Sequence, residues 1–253
     1  MTELKAIIFD VDGTLADTEG DGHLRAFNQA FADEGLDWYW SSELYGKLLK
    51  VTGGRERILH YVQGYCPDFQ APEELDEFVR KLHAHKTAIY AQLISTGIIP
   101  LRPGVQRLLL EARSKAMRIA IATTTSWSNV EALLTQTLGA KAMGWFEVIG
   151  AGDVVPAKKP APDIYCYVLE KLQLSAEDCI AIEDSRNGLL SATGAGLKTI
   201  ITVDEYTRGQ DFTGAVVVLD QLGEPQAPFK VLAGDAADSS YVDIELLRKL
   251  HGG

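Results

Sequence analysis

Six short apolar runs, each stopped abruptly by polar residues, constrain this chain more than any other feature: residues 5–9, 118–122, 146–149, 179–182, 199–203 and 215–219. Each is too short for a helix and lacks polar alternation, the pattern of a strand buried on both faces of a parallel sheet. Helix-length segments near 104–116, 127–138, 162–172 and 186–195 lie between them. Strands alternating with helices of that length predict right-handed crossovers and an α/β fold, a Rossmann-like doubly wound parallel sheet. Residues 17–96 carry no comparable run and read as helices near 22–34, 41–49, 54–64 and 73–94, broken at Gly35, Gly53-Gly54 and Cys66-Pro67. The expected organisation is a core domain of 1–16 and 97–253 with an inserted helical cap domain, 17–96. Residues 223–240 read as loop, before an amphipathic segment at 242–250.

With 253 residues, 46% of them hydrophobic, the chain can bury one large core or two modest ones. Its 24 Lys and Arg against 35 Asp and Glu give a net charge of -11, which repels nucleic-acid phosphates and anionic lipid, so neither is an expected partner. Three widely spaced cysteines indicate neither a disulfide framework nor a zinc site, and a reducing compartment is the natural reading. The N-terminal residues lack the pattern of a secretory signal, and no apolar run approaches the ~20 residues of a membrane span.

Ligands of open α/β sheets bind outside the carboxyl ends of the strands, so the residues that stop each run carry the chemistry. The first run delivers Asp10 and Asp12, and the run at 179–182 delivers Glu183 and Asp184. Carboxylates gathered at one sheet edge repel by about 4 kcal/mol per close pair. An all-oxygen set without His or Cys favours Mg²⁺ as the neutralising cation. Thr123-Thr124-Thr125-Ser126 places hydroxyls and backbone N–H groups before a helix, an anion cradle, and Lys158-Lys159-Pro160 adds an ammonium. Taken singly, each has a plainer reading: an Asp-Gly turn, a helix N-cap, a solvated loop lysine, a charge pair at a helix start. Their joint occurrence at neighbouring strand ends argues for a phosphoryl-transfer pocket. In the cap, Lys47, Lys50, Arg55 and Arg57 stand against Glu56 alone, a local positive island.

These residues resemble the haloacid dehalogenase superfamily of phosphohydrolases: Asp10-Val11-Asp12-Gly13-Thr14 resembles its first motif, Thr123 its second, Lys159 its third and Glu183-Asp184 its fourth. The resemblance implies that Asp10 is a nucleophile forming an aspartyl-phosphate and that Asp12 is the general acid and base. It implies that Thr123 and Lys159 hold phosphoryl oxygens, and that Mg²⁺ is bound by Asp10, Asp12 and Asp184, with Glu183 direct or through water. Residues 49–57, 122–126, 158–163 and 183–185 are similar to the CbbY-like group, related to β-phosphoglucomutase and phosphoglycolate phosphatase, whose namesakes dephosphorylate xylulose 1,5-bisphosphate, a Rubisco inhibitor. That implies a small phosphorylated sugar as partner, with substrate contacts from Glu19, His23, Lys50, Gly54, Arg55, Lys86, Thr124 and Thr125. A cytoplasmic monomer is expected, or one in the plastid stroma of a eukaryote. The mutases place a His four residues after the Thr that follows the first motif, whereas Thr18 here precedes His23 by five, which favours a hydrolase over a mutase. The alternatives are a phosphomutase of the β-phosphoglucomutase type and a non-catalytic receiver-like phosphoacceptor.

Overall fold

The structure is a computed structural model describing residues 3–51, 53–97, 99–152 and 154–252. Two compact units divide the chain: one runs through Asp17 and resumes at Pro100, and the other is Thr18–Ile99.

The first unit is built on the apolar runs. β1 (Ala6–Phe9), β2 (Arg118–Ala122), β3 (Val148–Gly150), β4 (Cys179–Glu183), β5 (Lys198–Thr202) and β6 (Val217–Leu219) pair in parallel, and β7 (Val231–Gly234) adds an antiparallel edge. The order β3-β2-β1-β4-β5-β6-β7 puts β1 between β2 and β4, so the connections diverge at the β1/β4 boundary. There the strand ends open a crevice that no crossover covers. Side chains alternate across a strand, and Ala6, Ile8, Ala120, Ala122, Cys179 and Ala181 pack with Ile164, Tyr165 and Val168 of a helix at Asp163–Leu172. By the same alternation Asp10 and Glu183 point toward that helix. The helices Val105–Ser114 and Ile244–Gly252 pack on β2 and β4.

β7 lies inside the segment expected to be loop. Its residues are all exposed, Val231 by 44% and Leu232 by 46%. An edge strand held by its backbone ladder leaves no burial pattern in the sequence. The other runs begin or end a residue or two differently: Phe146 and Glu147 precede β3, and Ala215 and Val216 precede β6.

The second unit contains helices at Arg25–Asp33, Ser42–Leu48, Gly54–Tyr65 and Leu75–Ser95. Phe27, Phe31, Trp38, Trp40 and Tyr61 fill its centre with tilted and edge-to-face ring pairs 4.6–6.1 Å apart. Asn28 locks the loop after the first helix by donating Nδ2 to Trp40 O (2.9 Å) and accepting Trp40 N–H at Oδ1 (2.8 Å). The helix expected from residue 22 begins differently: Glu19–Leu24 is a π-helical turn in which His23 N–H donates to Thr18 O at 2.7 Å. Gly22 permits it, because a Cβ there would stand 2.7 Å from the Tyr90 ring and 2.9 Å from Ile99. Among the described residues no helix is long and apolar enough to cross a membrane.

Candidate active site

Asp10 follows β1 directly, and its N–H donates to Ile182 O of β4 at 3.0 Å. The register pairing Phe9 with Ile182 thus sets Asp10 beside Glu183. Asp10, Glu183 and Asp184 are buried and offer carboxylate oxygens within 4.8 Å of one another. Lys159 reaches this group from its loop: Nζ donates to Asp10 Oδ1 (2.6 Å), Glu183 Oε1 (2.5 Å) and Ala122 O (2.9 Å), which uses all three N–H bonds. Tyr165 donates its hydroxyl to Glu183 Oε1 at 2.6 Å, and Asp184 N–H approaches Oε2 at 3.4 Å.

Burial disfavours the Lys159 ammonium, but the Asp10 and Glu183 carboxylates outweigh it and raise its pKa, so the side chain stays charged. Burial also drives Glu183 up to about 7, helped by Asp10 and opposed by Lys159. It holds Asp184 well above the ordinary carboxylate range, with Asp10, Glu183 and Asp204 adding like-charge repulsion. Three buried carboxylates with one ammonium are short of positive charge. The donors are all oxygen, and Asp204 Oδ2 nearby is a buried acceptor without a hydrogen-bond partner. This set fits a hard divalent cation.

Asp12 and Gly13 lie in the tight turn after Asp10, where Gly13 N–H donates to Ala16 O (2.8 Å) and Leu15 N–H to Val11 O (2.9 Å). Gly13 has φ +79°. Thr123 is buried at the end of β2, its N–H on Gly150 O (2.9 Å) and its Oγ1 accepting Thr125 N–H (3.3 Å). Thr125 accepts from Asn129 Nδ2 at 3.2 Å, and Thr124 is exposed at the start of the helix Trp127–Leu138.

The expected cap residues separate into two groups. Glu19, His23 and Lys86 belong to an interior polar cluster, in which Glu19 accepts from Tyr45 OH (2.6 Å) and Lys86 Nζ meets His23 Nδ1 (2.7 Å). His23 stacks on Tyr90 at 3.9 Å, and Lys86 lies over the Phe27 ring at 4.7 Å. Burial first, then Lys86, Arg57 and His83, lowers the His23 pKa well below 6.5, so its imidazole is neutral and accepts from Lys86. Gly54 starts the helix Gly54–Tyr65, where a Cβ would press on His83. Lys50 and Arg55 are exposed instead, and Arg55 pairs with Asp76 at 3.0 Å. The positive island is thereby reduced: Lys47 pairs with Glu43 at 2.7 Å, and Arg57 is buried with Nη1 on Tyr45 OH at 3.0 Å. A count along residues 47–57 misses Glu43 and Asp76 because they lie outside it.

The five-residue spacing from Thr18 to His23 has a physical resolution. A π turn closes its hydrogen bond over five residues instead of four, which absorbs one extra residue without rotating the helix beyond it. Sequence reasoning also passed over Tyr165, Arg102 and Asp204. Tyr165 falls on an apolar helix face where it reads as core, and nothing local marks Asp204 as different from any Asp opening a turn.

Residues 4–196 match the family model described as haloacid dehalogenase-like hydrolase. The plasmid-encoded CbbY of Cupriavidus necator is 46% identical over 250 residues, covering 99% of this chain and 98% of that protein. A crystal structure of mutant CbbY from Rhodobacter sphaeroides in complex with xylulose 1,5-bisphosphate superposes with a TM-score of 0.76 at 45% identity, covering 86% of this chain and 94% of that one. A putative β-phosphoglucomutase from Thermotoga maritima reaches 0.67 at 27% identity, over 85% and 94%. Membership of a hydrolase family sets aside the receiver-like alternative. With its motifs gathered at the β1/β4 boundary and matches running along most of its length, the chain belongs to the haloacid dehalogenase-like hydrolases, in their CbbY-like group.

Proposed function

We propose that this enzyme is a Mg²⁺-dependent sugar-phosphate phosphatase that hydrolyses xylulose 1,5-bisphosphate to xylulose 5-phosphate. The observation that carries the reading is the Lys159 ammonium bridging Asp10 and Glu183 beside Asp184, a buried charged set at the carboxyl ends of β1 and β4. The substrate is taken from the CbbY of known structure, which holds xylulose 1,5-bisphosphate.

Asp10 attacks phosphorus with a carboxylate oxygen, and the bond from phosphorus to the sugar oxygen breaks. Asp12 gives its proton to that leaving oxygen. The Asp12 carboxylate then takes a proton from water, whose oxygen attacks phosphorus, releasing inorganic phosphate and restoring Asp10. Lys159, with its three N–H bonds on Asp10, Glu183 and Ala122, fixes the Asp10 carboxylate and would offer its positive charge to the phosphoryl oxygens, which Thr123 at the end of β2 would help to hold; Glu183, itself held by Tyr165, keeps Lys159 in place. Asp10, Asp184 and the Asp12 backbone, with Glu183 at the margin, would hold Mg²⁺, which when bound would supply neutralisation of phosphoryl charge. On the helical unit, Lys86 is the cation proposed for a second phosphoryl group, with Glu19, His23 and Gly54 lining the same cluster and Lys50 and Arg55 further out. A cytoplasmic monomer goes with this reading.

Purified protein with Mg²⁺ and xylulose 1,5-bisphosphate should release inorganic phosphate, and Asp10→Asn should abolish release; undiminished release from that variant would sink the mechanism. The π turn favours a second reading. Because it offsets the extra residue before His23, a phosphomutase is the rival, and isomerisation of β-glucose 1-phosphate faster than phosphate release would establish it.

A further inference from the structure

Asp204 follows β5 and is 6% exposed. Its Oδ1 is fully used, accepting from Tyr206 N–H (2.8 Å), Thr207 N–H (2.8 Å) and Thr207 Oγ1 (2.9 Å), an Asx turn that fixes the side chain. Its Oδ2 is buried and has no hydrogen-bond partner. A buried carboxylate oxygen left so keeps its desolvation penalty uncompensated, and the side chain cannot swing away without breaking the turn. Oδ2 lies over Gly13: a Cβ on that glycine would stand 3.2 Å from Asp204 Oδ2 and 2.7 Å from the Asp184 carboxyl carbon. Both carboxylates therefore aim at one small space beside the turn that carries Asp10 and Asp12, and only a glycine leaves that space open.

Arg102 fixes this arrangement from behind. Its guanidinium donates to the carbonyls of Gly13, Thr202 (2.7 Å), Val203 (2.6 Å) and Asp220 (2.9 Å), tying the residues before Asp204 to the turn after β1. No carboxylate oxygen is among these acceptors, so Asp204 is not spent on Arg102.

We propose that Asp204 is an outer acidic residue of the cation site, its Oδ2 accepting a hydrogen bond from a water that the cation holds next to Asp184. The inference rests on the Mg²⁺ reading of the site and extends it to a residue outside the four motifs. Asp204 is not in the cluster of oxygens within 4.8 Å, which points to contact through water and not to direct ligation. Mg²⁺ suits such a partner, since it keeps several waters when bound by protein. Groups that orient a metal's ligands from the next layer are worth about 10–100-fold in affinity.

Titration calorimetry of the full chain with Mg²⁺ alone tests this. Asp204→Asn keeps an oxygen for the Asx turn and removes the charged acceptor, so it should weaken Mg²⁺ binding about tenfold or more. Asp220→Asn removes an acid that also neighbours Arg102 but whose Oδ1 accepts Lys230 N–H at 2.7 Å, and it should leave binding within about twofold. If Asp204→Asn does not fold, Asp204→Ser offers the turn a hydroxyl and lacks Oδ2. An unchanged affinity in the folded variant, or an equal loss in Asp220→Asn, overturns the role of Asp204. Absence of Mg²⁺ binding by the unaltered chain overturns the Mg²⁺ reading itself, and this inference with it.

Discussion

Lys159→Met keeps the stem of the side chain and deletes the ammonium that bridges Asp10 and Glu183. The side chains concerned are 7%, 8% and 1% exposed, so water cannot replace the lost partner. Removing one member of a buried charged set costs about 3–5 kcal/mol, a large part of the roughly 5–15 kcal/mol that holds a domain together. For a chain of this size that corresponds to a fall of roughly 6–20 °C in melting temperature. The deficit should depend on pH. Burial and Asp10 raise the Glu183 carboxyl from 4.5 to about 7, while Lys159 restrains it. A carboxyl raised by folding binds its proton in the native state first, so its linkage stabilises the fold as pH falls through about 7 toward 4.5. Without Lys159 the rise is larger and acidification recovers more. Scanning calorimetry of both proteins with a chelator present, from about pH 8 to about pH 5, should show a gap that is widest at the alkaline end. A gap below about 1 kcal/mol throughout, or one that does not narrow on acidification, would refute this account of the site.

The same geometry sets two more outcomes. Gly188→Ala in the helix Arg186–Gly194 would gain about 1 kcal/mol of helix propensity, but its Cβ would overlap the Glu183 carboxylate. Melting temperature and phosphate release should therefore both fall, and a melting temperature that rises would remove Glu183 from the position assigned to it. In the helical unit, folding lowers the His23 pKa well below 6.5, chiefly by burial and then by Lys86. Its contribution is fully present above pH 6.5 and is lost as pH falls below that value, with a slope of at most about 1.4 kcal/mol per pH unit. Denaturant titrations across that window should show His23→Gln with the flatter dependence; parallel curves would mean that folding does not lower the His23 pKa.

What the sequence determined by itself was whatever repeats locally. A buried parallel strand must be apolar on both faces and must end where the backbone turns polar, so Asp10, Thr123, Glu183 and Asp184 were legible as the residues that stop such runs. The α/β class came from the same punctuation. Tertiary structure alone decided which of those ends meet. The position of β1 between β2 and β4 sets Asp10 beside Glu183, and Lys159 reaches both across 149 and 24 residues of chain. Tyr165, Arg102 and Asp204 look like a core aromatic, a loop cation and a turn former until the fold gives them Glu183, four carbonyls and the space over Gly13. β7 was illegible for a related reason, since a backbone ladder on an exposed edge needs no particular side chains, and the π turn at Glu19–Leu24 showed in the sequence only as a spacing whose resolution needed the packing of Gly22 against Tyr90 and Ile99. Local pattern records what a residue must be to lie in a strand or helix; the pairing of distant polar groups is set by packing, which no window of sequence contains.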